Sequence, residues 1–245
     1  MVKIKFLDKY KKTYRYLIEN TEHTSLNSIR RIISYLLPIY AIDEVDFFEN
    51  DSCVIDEMLA NRIGLCPIKT PSITTGKKVT FKIDKKGPCT VYSEDMISSD
   101  KDIEMVYNTI PLTKLNENEN IVLEAFAGLG IGKEHVKYSP AIVSYANLFE
   151  LDVPRACESC KKLFEKCSKN AIKSETSKKI ILNPSDYDLC HAQAEKCDKK
   201  CFKLSNINNY ILTIELIGQC SIKDLLKLSS RYIKEYTGVL KKKIK

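Results

Sequence analysis

The sequence has no run close to the roughly 18 consecutive apolar residues that a membrane-spanning helix requires. Its first residues also lack an apolar stretch followed by a small-residue cleavage site, so we expect no secretory signal. Charge of one sign does not dominate, because the net charge is only +7 and the lysines are spread along the chain. These absences predict a cytoplasmic protein with no membrane partner.

Motifs for catalysis and phosphate binding are also missing. The glycine-rich run at 128–133 fails the Walker pattern because Ala127 and Glu134 occupy its outer positions. It fails the dinucleotide fingerprint because the third glycine would fall on Lys133, so we expect the glycines to mark a strand end and a tight turn. None of the three histidines stands in a pattern with paired carboxylates or a Gly-flanked serine. The sequence therefore predicts no catalytic residues.

The residues that are present predict regular elements in the first part of the chain. Alternation of apolar and polar residues favours strands at 3–7 and 14–19, joined in a hairpin. A helix should follow, capped by Thr24 or Ser25 and ended by Pro38. Short β-like stretches between turn signals then continue to about residue 145, which is typical of a mostly β domain.

The end of the chain returns to a strand at 210–216 and a long helix that Ser221 can cap. Apolar positions in that helix follow a spacing of three and four residues. They are Leu225, Leu228, Tyr232, Tyr236 and Val239. The stripe is wide, and the N-terminal elements are too small to bury both this helix and their own. We therefore expect the two chain ends to share one domain, with the middle of the chain inserted between them. Apolar surface that remains on the helix would suit either a partner subunit or an ordinary core.

Six of the ten cysteines lie close together in a segment with few large apolar side chains. They are Cys157, Cys160, Cys167, Cys190, Cys197 and Cys201. In a reducing cytosol such a cluster indicates metal more often than disulfides. A bound metal would also supply the stability that this segment cannot obtain from an apolar core.

Several blocks resemble a known family in sequence and in order. The most specific is DEMLANRIGLCPI at 56–68, with further blocks at 28–32, 37–45, 87–95 and 123–135. Together they resemble the D subunit of archaeal RNA polymerase, whose family includes the third-largest subunit of eukaryotic RNA polymerase II and, more remotely, the bacterial alpha subunit. Asn61 stands where the family usually has histidine.

This resemblance implies an α+β fold in three parts. A dimerisation domain would be built from 1–38 and 208–245, a β-rich domain inserted at 39–153, and a ferredoxin-like Cys-rich domain placed at 154–207. The chain would be a non-catalytic assembly platform that belongs to an enzyme only as part of the nucleotidyltransferase complex. It would pair with the smaller subunit L, recruit small zinc-binding subunits and the large catalytic subunits, and reach DNA and RNA only through the complex.

The resemblance also suggests which residues meet these partners. Arginine at the position of Arg30 and Arg31 would contact a large subunit, although a solvated helix face is the alternative. The stripe on the last helix, with Leu225, Leu228, Tyr232 and Tyr236, would face subunit L. The structure can show where each of these side chains lies.

For the cysteines, the resemblance implies a ferredoxin-type arrangement from which one cysteine in each half has been lost. Cys157, Cys160 and Cys201 would form one set of three thiolates, and Cys167, Cys190 and Cys197 the other. Three thiolates favour a 3Fe-4S cluster over a 4Fe-4S cluster, whereas zinc would need a fourth ligand such as His191. A domain with free or paired cysteines and no cofactor is an equal alternative. The same cluster suggests the competing function of an independent iron-sulfur electron-transfer protein.

Overall fold

The computed structural model describes residues 2–71, 76–152, 172–175, 179–182 and 203–244. Helices and strands both contribute, so the predicted α+β class is confirmed. The chain divides into two compact units, one made of 1–28 with 143–214 and the other of 29–142 with 215–245. The functional division into three domains stays a prediction, as does the ferredoxin-like character of 154–207, whose cysteines all lie outside the described residues.

The first unit contains a six-stranded sheet. Its strands, in chain order, are β1 (Lys3–Tyr10), β2 (Thr13–Glu19), β9 (Ala141–Asp152), β10 (Ile172–Glu175), β11 (Lys179–Leu182) and β12 (Lys203–Leu216). They are arranged in the order β1-β2-β12-β9-β11-β10. β1 and β2 pair antiparallel, with Lys11 at positive φ in the tight turn between them. The predicted N-terminal hairpin is confirmed.

The first helix, α1 (His23–Arg31), begins two residues before Ser25, the earliest start that a cap at Thr24 allows. The backbone amides of Ser25 and Leu26 donate to the Glu22 carbonyl at 3.2 and 3.4 Å, which places Thr24 and Ser25 inside the first turn. The predicted cap is therefore wrong. A π-helical turn, Ile32–Leu36, follows α1 and leads into the next strand at Pro38.

The second unit contains a four-stranded sheet, a two-stranded sheet and two helices. The larger sheet has the order β3-β8-β4-β6 and consists of β3 (Pro38–Asn50), β4 (Val79–Lys86), β6 (Ile97–Ser98) and β8 (Asn120–Ile131). The smaller sheet pairs β5 (Cys89–Tyr92) with β7 (Pro111–Leu115). The helices are α2 (Asp56–Gly64) and α3 (Ile222–Ile244). Apolar side chains from α2 and both sheets form one core, which includes Tyr40, Leu59, Ile63, Ile68, Phe81, Val91, Leu112 and Leu123.

Two glycines in the run at 128–133 lie inside a strand. Gly128 pairs with Ala41 and Gly130 with Ile39, so β8 runs through both residues and ends at Ile131, within the glycine run as predicted. The lack of a side chain at Gly130 makes room for the ring of Tyr138, since a Cβ there would lie within 3.0 Å of three ring atoms. Only Gly132 lies in a turn, where a Cβ would collide with the Ser34 carbonyl oxygen.

No helix in the described ranges is both long enough and apolar enough to cross a membrane.

Candidate functional site

The start of α3 is capped as the sequence predicted. The backbone N–H of Asp224 donates to Ser221 Oγ at 3.2 Å, and the Ser221 hydroxyl donates to Asp224 Oδ2 at 2.6 Å. The acidic side chain in the first turn also complements the positive end of the helix dipole. This cap fixes where the apolar stripe of α3 begins.

The apolar stripe of α3 changes from buried to exposed along the helix. Leu225, near the start, is fully buried within the chain. Leu228 and Tyr232 are half-buried, whereas Tyr236 is 58% exposed and Val239 is 52% exposed. The rings of Tyr232 and Tyr236 stack, with centroids 6.4 Å apart and planes 8° apart. The later part of α3 therefore carries apolar surface that the described residues leave exposed.

The two arginines predicted to meet a large subunit lie at the end of α1. Arg31 is exposed, while Arg30 is half-buried and takes part in an interaction of its own. The π-helical turn that follows is held to the end of β8, because the Lys133 N–H donates to the Tyr35 carbonyl at 3.0 Å. Tyr35 is exposed beside this anchor. Arg31 and Tyr35 are thus the side chains in this region that a partner can reach.

The most specific sequence block, 56–68, divides into an inner and an outer set of residues. Leu59, Ile63 and Ile68 are buried in the core, which holds α2 onto the sheets. Although Arg62 is largely exposed, its Nη1 donates to the Leu112 carbonyl at 2.6 Å. This hydrogen bond joins α2 to β7. Met58 and Leu65 face outward, as does Ile55 just before the helix. Large apolar side chains exposed along one short helix form a second candidate contact surface.

Asp43 is the centre of a polar cluster that sequence reasoning missed. Its Oδ1 accepts hydrogen bonds from Lys137 Nζ at 2.7 Å and from the Tyr138 hydroxyl at 2.9 Å. Lys137 Nζ also donates to the Ile42 carbonyl at 2.8 Å. The cluster fixes the 3-10 turn Val136–Tyr138 against β3. No local pattern could reveal it, because 94 residues separate Asp43 from Lys137 in the chain.

The same contacts shift the pKa values of Asp43 and Tyr138. The hydrogen bond from Lys137 lowers the pKa of Asp43 below its usual value, and burial opposes that effect. Burial, and then the hydrogen bond to Asp43, raise the pKa of Tyr138 above its ordinary range. His135 accepts from the Lys137 N–H through Nδ1 at 3.2 Å, so this imidazole stabilises the turn. Together these contacts hold the 3-10 turn in place against β3.

The predicted metal ligands cannot be placed. Cys157, Cys160, Cys167, Cys190, Cys197 and Cys201 lie outside the described residues. Within the part of the chain that the structure describes, no group of three or more His, Cys, Asp or Glu residues could hold a metal ion. The iron-sulfur or zinc assignment therefore stays a prediction.

Comparison with known proteins identifies the family. The model of the RNA polymerase Rpb3/RpoA insert domain matches residues 43–152. Subunit Rpo3 of DNA-directed RNA polymerase from Methanobrevibacter smithii is 32% identical over 237 residues, covering 86% of each chain. The chain belongs to the Rpo3 family of DNA-directed RNA polymerase subunits. Two further Rpo3 proteins agree with this. That of Methanothermobacter thermautotrophicus is 31% identical over 82% of this chain and 83% of the relative. That of Pyrococcus horikoshii is 28% identical over 95% of this chain and 94% of the relative.

Membership of the Rpo3 family confirms the predicted relationship to the archaeal polymerase subunit and the presence of an inserted β-rich domain. Nucleotidyl transfer belongs to the polymerase complex of which Rpo3 proteins are subunits, as predicted. Neither the family model nor the Rpo3 relatives support the alternative of an independent iron-sulfur electron carrier.

Proposed function

We propose that this chain is the assembly platform of its RNA polymerase, pairing with the smaller subunit L and then recruiting the small zinc-binding subunits and the large catalytic subunits. Membership of the Rpo3 family supports a role within the complex. The observation that carries the assembly role is the later part of α3, where Tyr236 and Val239 remain exposed beside the half-buried Tyr232. A helix surface of this kind suits coverage by another subunit.

The structure determines which substitution tests the pairing with subunit L. Leu225 is fully buried in this chain, so Leu225→Asp would damage the fold whether or not subunit L binds. Tyr236 is largely exposed, so Tyr236→Asp leaves the isolated fold intact and places a carboxylate in the proposed interface. Ser230→Asp is a matched control, because Ser230 is exposed and the charge change is the same. It lies six residues before Tyr236 and so on a different side of the helix.

The experiment is coexpression with subunit L, followed by size-exclusion chromatography and measurement of the dissociation constant. The wild-type chain and Ser230→Asp should elute as one-to-one pairs. Tyr236→Asp should weaken pairing by about 2 kcal/mol or more, since aromatic side chains dominate interface energies. Equal pairing by Tyr236→Asp and wild type would reject α3 as the pairing surface.

Recruitment of the large subunits is tested separately through Arg31. This residue is exposed, so Arg31→Ala should leave the fold and the pairing with subunit L unchanged while reducing recovery of the large subunits in reconstitution. Arg30→Ala is a less direct test, because Arg30 already interacts within the chain. Normal assembly by Arg31→Ala would remove this arginine from the proposed contact.

A further inference from the structure

β1 is the end strand of the six-stranded sheet, with β2 on its inner side. In the described part of the chain, no strand pairs with its outer side. An edge of this kind presents backbone N–H and C=O groups to another extended chain. The register shifts between Phe6 and Asp8, and such a bulge bends the strand. The straight part of the edge is therefore Lys3–Phe6, about 13 Å at about 3.3 Å per residue.

One face of this short edge is apolar. Ile4 is 70% exposed and Phe6 is 53% exposed. Ile4 lies opposite Ile18, which is buried, and the ring of Phe6 meets that of Tyr16 edge to face at 5.6 Å. Residues directly opposite each other in an antiparallel pair share a face. The apolar surface around Ile18 thus continues outward to the edge, where it is uncovered.

The other face is cationic. Lys3 and Lys5 are exposed and alternate with Ile4 and Phe6. Glu19 lies directly opposite Lys3 on this face, whereas the carboxylate of Asp8 is held by Arg15 through Nε at 2.9 Å and through Nη2. That guanidinium holds the pKa of Asp8 below its usual value, so Asp8 is ionised and already paired. Lys5 lies opposite Leu17, and no ion pair joins Lys3 to Glu19 among the described residues, so both ammonium groups can meet the carboxylates of a partner.

This charge pattern selects among possible occupants of the edge. Two copies of β1 pairing antiparallel would bring their lysines together, which disfavours self-association and is a common use of lysine on edge strands. In a strand that alternates acidic and apolar residues, the carboxylates would instead attract the lysines on one face, and the apolar side chains would cover Ile4 and Phe6 on the other. The exposed ring of Phe6 could stack on a base, but the free backbone edge favours a peptide, whose own N–H and C=O groups can pair with it.

We propose that the outer edge of β1 binds an extended, alternating acidic and apolar segment of a partner protein by strand addition. The segment's backbone pairs with Lys3–Phe6, its apolar side chains cover Ile4 and Phe6, and its carboxylates meet Lys3 and Lys5. Main-chain hydrogen bonds supply affinity in this mode, and alternate side chains supply specificity. This site does not depend on the proposed assembly role.

The test uses the full chain and the blocked peptide acetyl-(Glu-Val)3-amide at millimolar concentration. The peptide should slow hydrogen exchange of amides in residues 3–6. Lys3→Glu/Lys5→Glu should weaken its binding by about tenfold, since attraction becomes repulsion at two exposed positions. The same double variant should gain binding of acetyl-(Lys-Val)3-amide, which the wild-type chain does not bind. Lys241→Glu/Lys242→Glu is the matched control, because it changes the same charge at exposed positions of α3.

Several results would overturn the proposal. One is the absence of any protection in β1 at saturating peptide or at the highest soluble concentration. Another is equal loss of binding in the α3 control, which would show that only net charge matters. A third is that a thymidine dodecamer binds more tightly than the peptide and that Lys3→Glu/Lys5→Glu abolishes this binding. That result would assign the edge to single-stranded nucleic acid.

Discussion

Gly130→Ala offers a direct test of how the end of β8 is built. Gly130 lies opposite Ile39 in the sheet, and the buried ring of Tyr138 crosses over it. An added Cβ would lie within 3.0 Å of three ring atoms, closer than real Cβ atoms approach. The ring cannot easily withdraw, because its hydroxyl is bonded to Asp43 at 2.9 Å. One methyl group therefore forces either the strand or the turn to move.

The expected cost is about 2–3 kcal/mol in the free energy of unfolding, the upper range for inserting a methyl group into a packed site. Gly128→Ala is the matched control, because a Cβ there meets only Asp43 Oδ2 at 4.0 Å. That control should be neutral or stabilising by about 0.5–1 kcal/mol, since alanine restricts the unfolded chain more than glycine does. Substitution of Gly130 should thus destabilise the protein and substitution of Gly128 should not, although the two glycines are two residues apart on one strand.

A double-mutant cycle with Tyr138→Ala isolates the clash. Removal of the ring should cost about 3–5 kcal/mol by itself. In that background Gly130→Ala should cost almost nothing, which gives a coupling of about 2–3 kcal/mol. Urea unfolding, with hydrogen exchange of the β3 and β8 amides, measures each value. An equal cost of Gly130→Ala with and without the ring would refute the reasoning, since the ring could not then be the obstacle.

Three further predictions concern other sites. Gly132→Ala should destabilise the chain in urea unfolding, and Tyr138→Ala should not rescue it, because the obstacle there is the backbone carbonyl of Ser34. The pKa of Asp43 is lowered in the folded state, so the stability that its carboxylate gives the fold is complete above about pH 4 and is lost as the pH falls through the folded pKa. Asp43→Asn should therefore remove this contribution to the pH dependence of stability in acid-unfolding curves. Metal analysis of anaerobically purified protein should detect iron or zinc, and Cys197→Ser should lower the metal content without preventing pairing with subunit L. Absence of both metals would reject the predicted metal site.

Local patterns were sufficient where a few neighbouring residues determine the structure. The hairpin of β1 and β2 follows from alternation on either side of a short polar turn, and the start of α3 follows from Ser221 with Asp224 three residues later. Thr24 and Ser25 misled the prediction because either hydroxyl could cap a helix. The backbone of Glu22 instead accepts the first hydrogen bonds of α1.

Features that depend on distant residues could not be predicted. Glycines usually weaken strands, yet β8 retains Gly128 and Gly130 because eleven register pairs with β3 hold it and Tyr138 fills the space above Gly130. The cluster of Asp43, Lys137 and Tyr138 joins residues far apart in the chain. Each of these features becomes visible only when the sheet brings its strands together.

The recognisable block at 56–68 shows why searches for catalytic motifs are uninformative for a chain of this kind. Its buried residues, such as Leu59 and Ile63, are what any helix packed on a sheet requires. Its outward residues, such as Met58 and Leu65, have no chemistry except an affinity for other apolar surfaces. A catalytic site would reveal itself by reactive groups at fixed spacing, whereas a contact surface is defined by what its partner covers. The specificity of α2 and α3 therefore lies in shape and exposure, which explains why the family was recognised from blocks of sequence and whole-chain similarity and not from a catalytic motif.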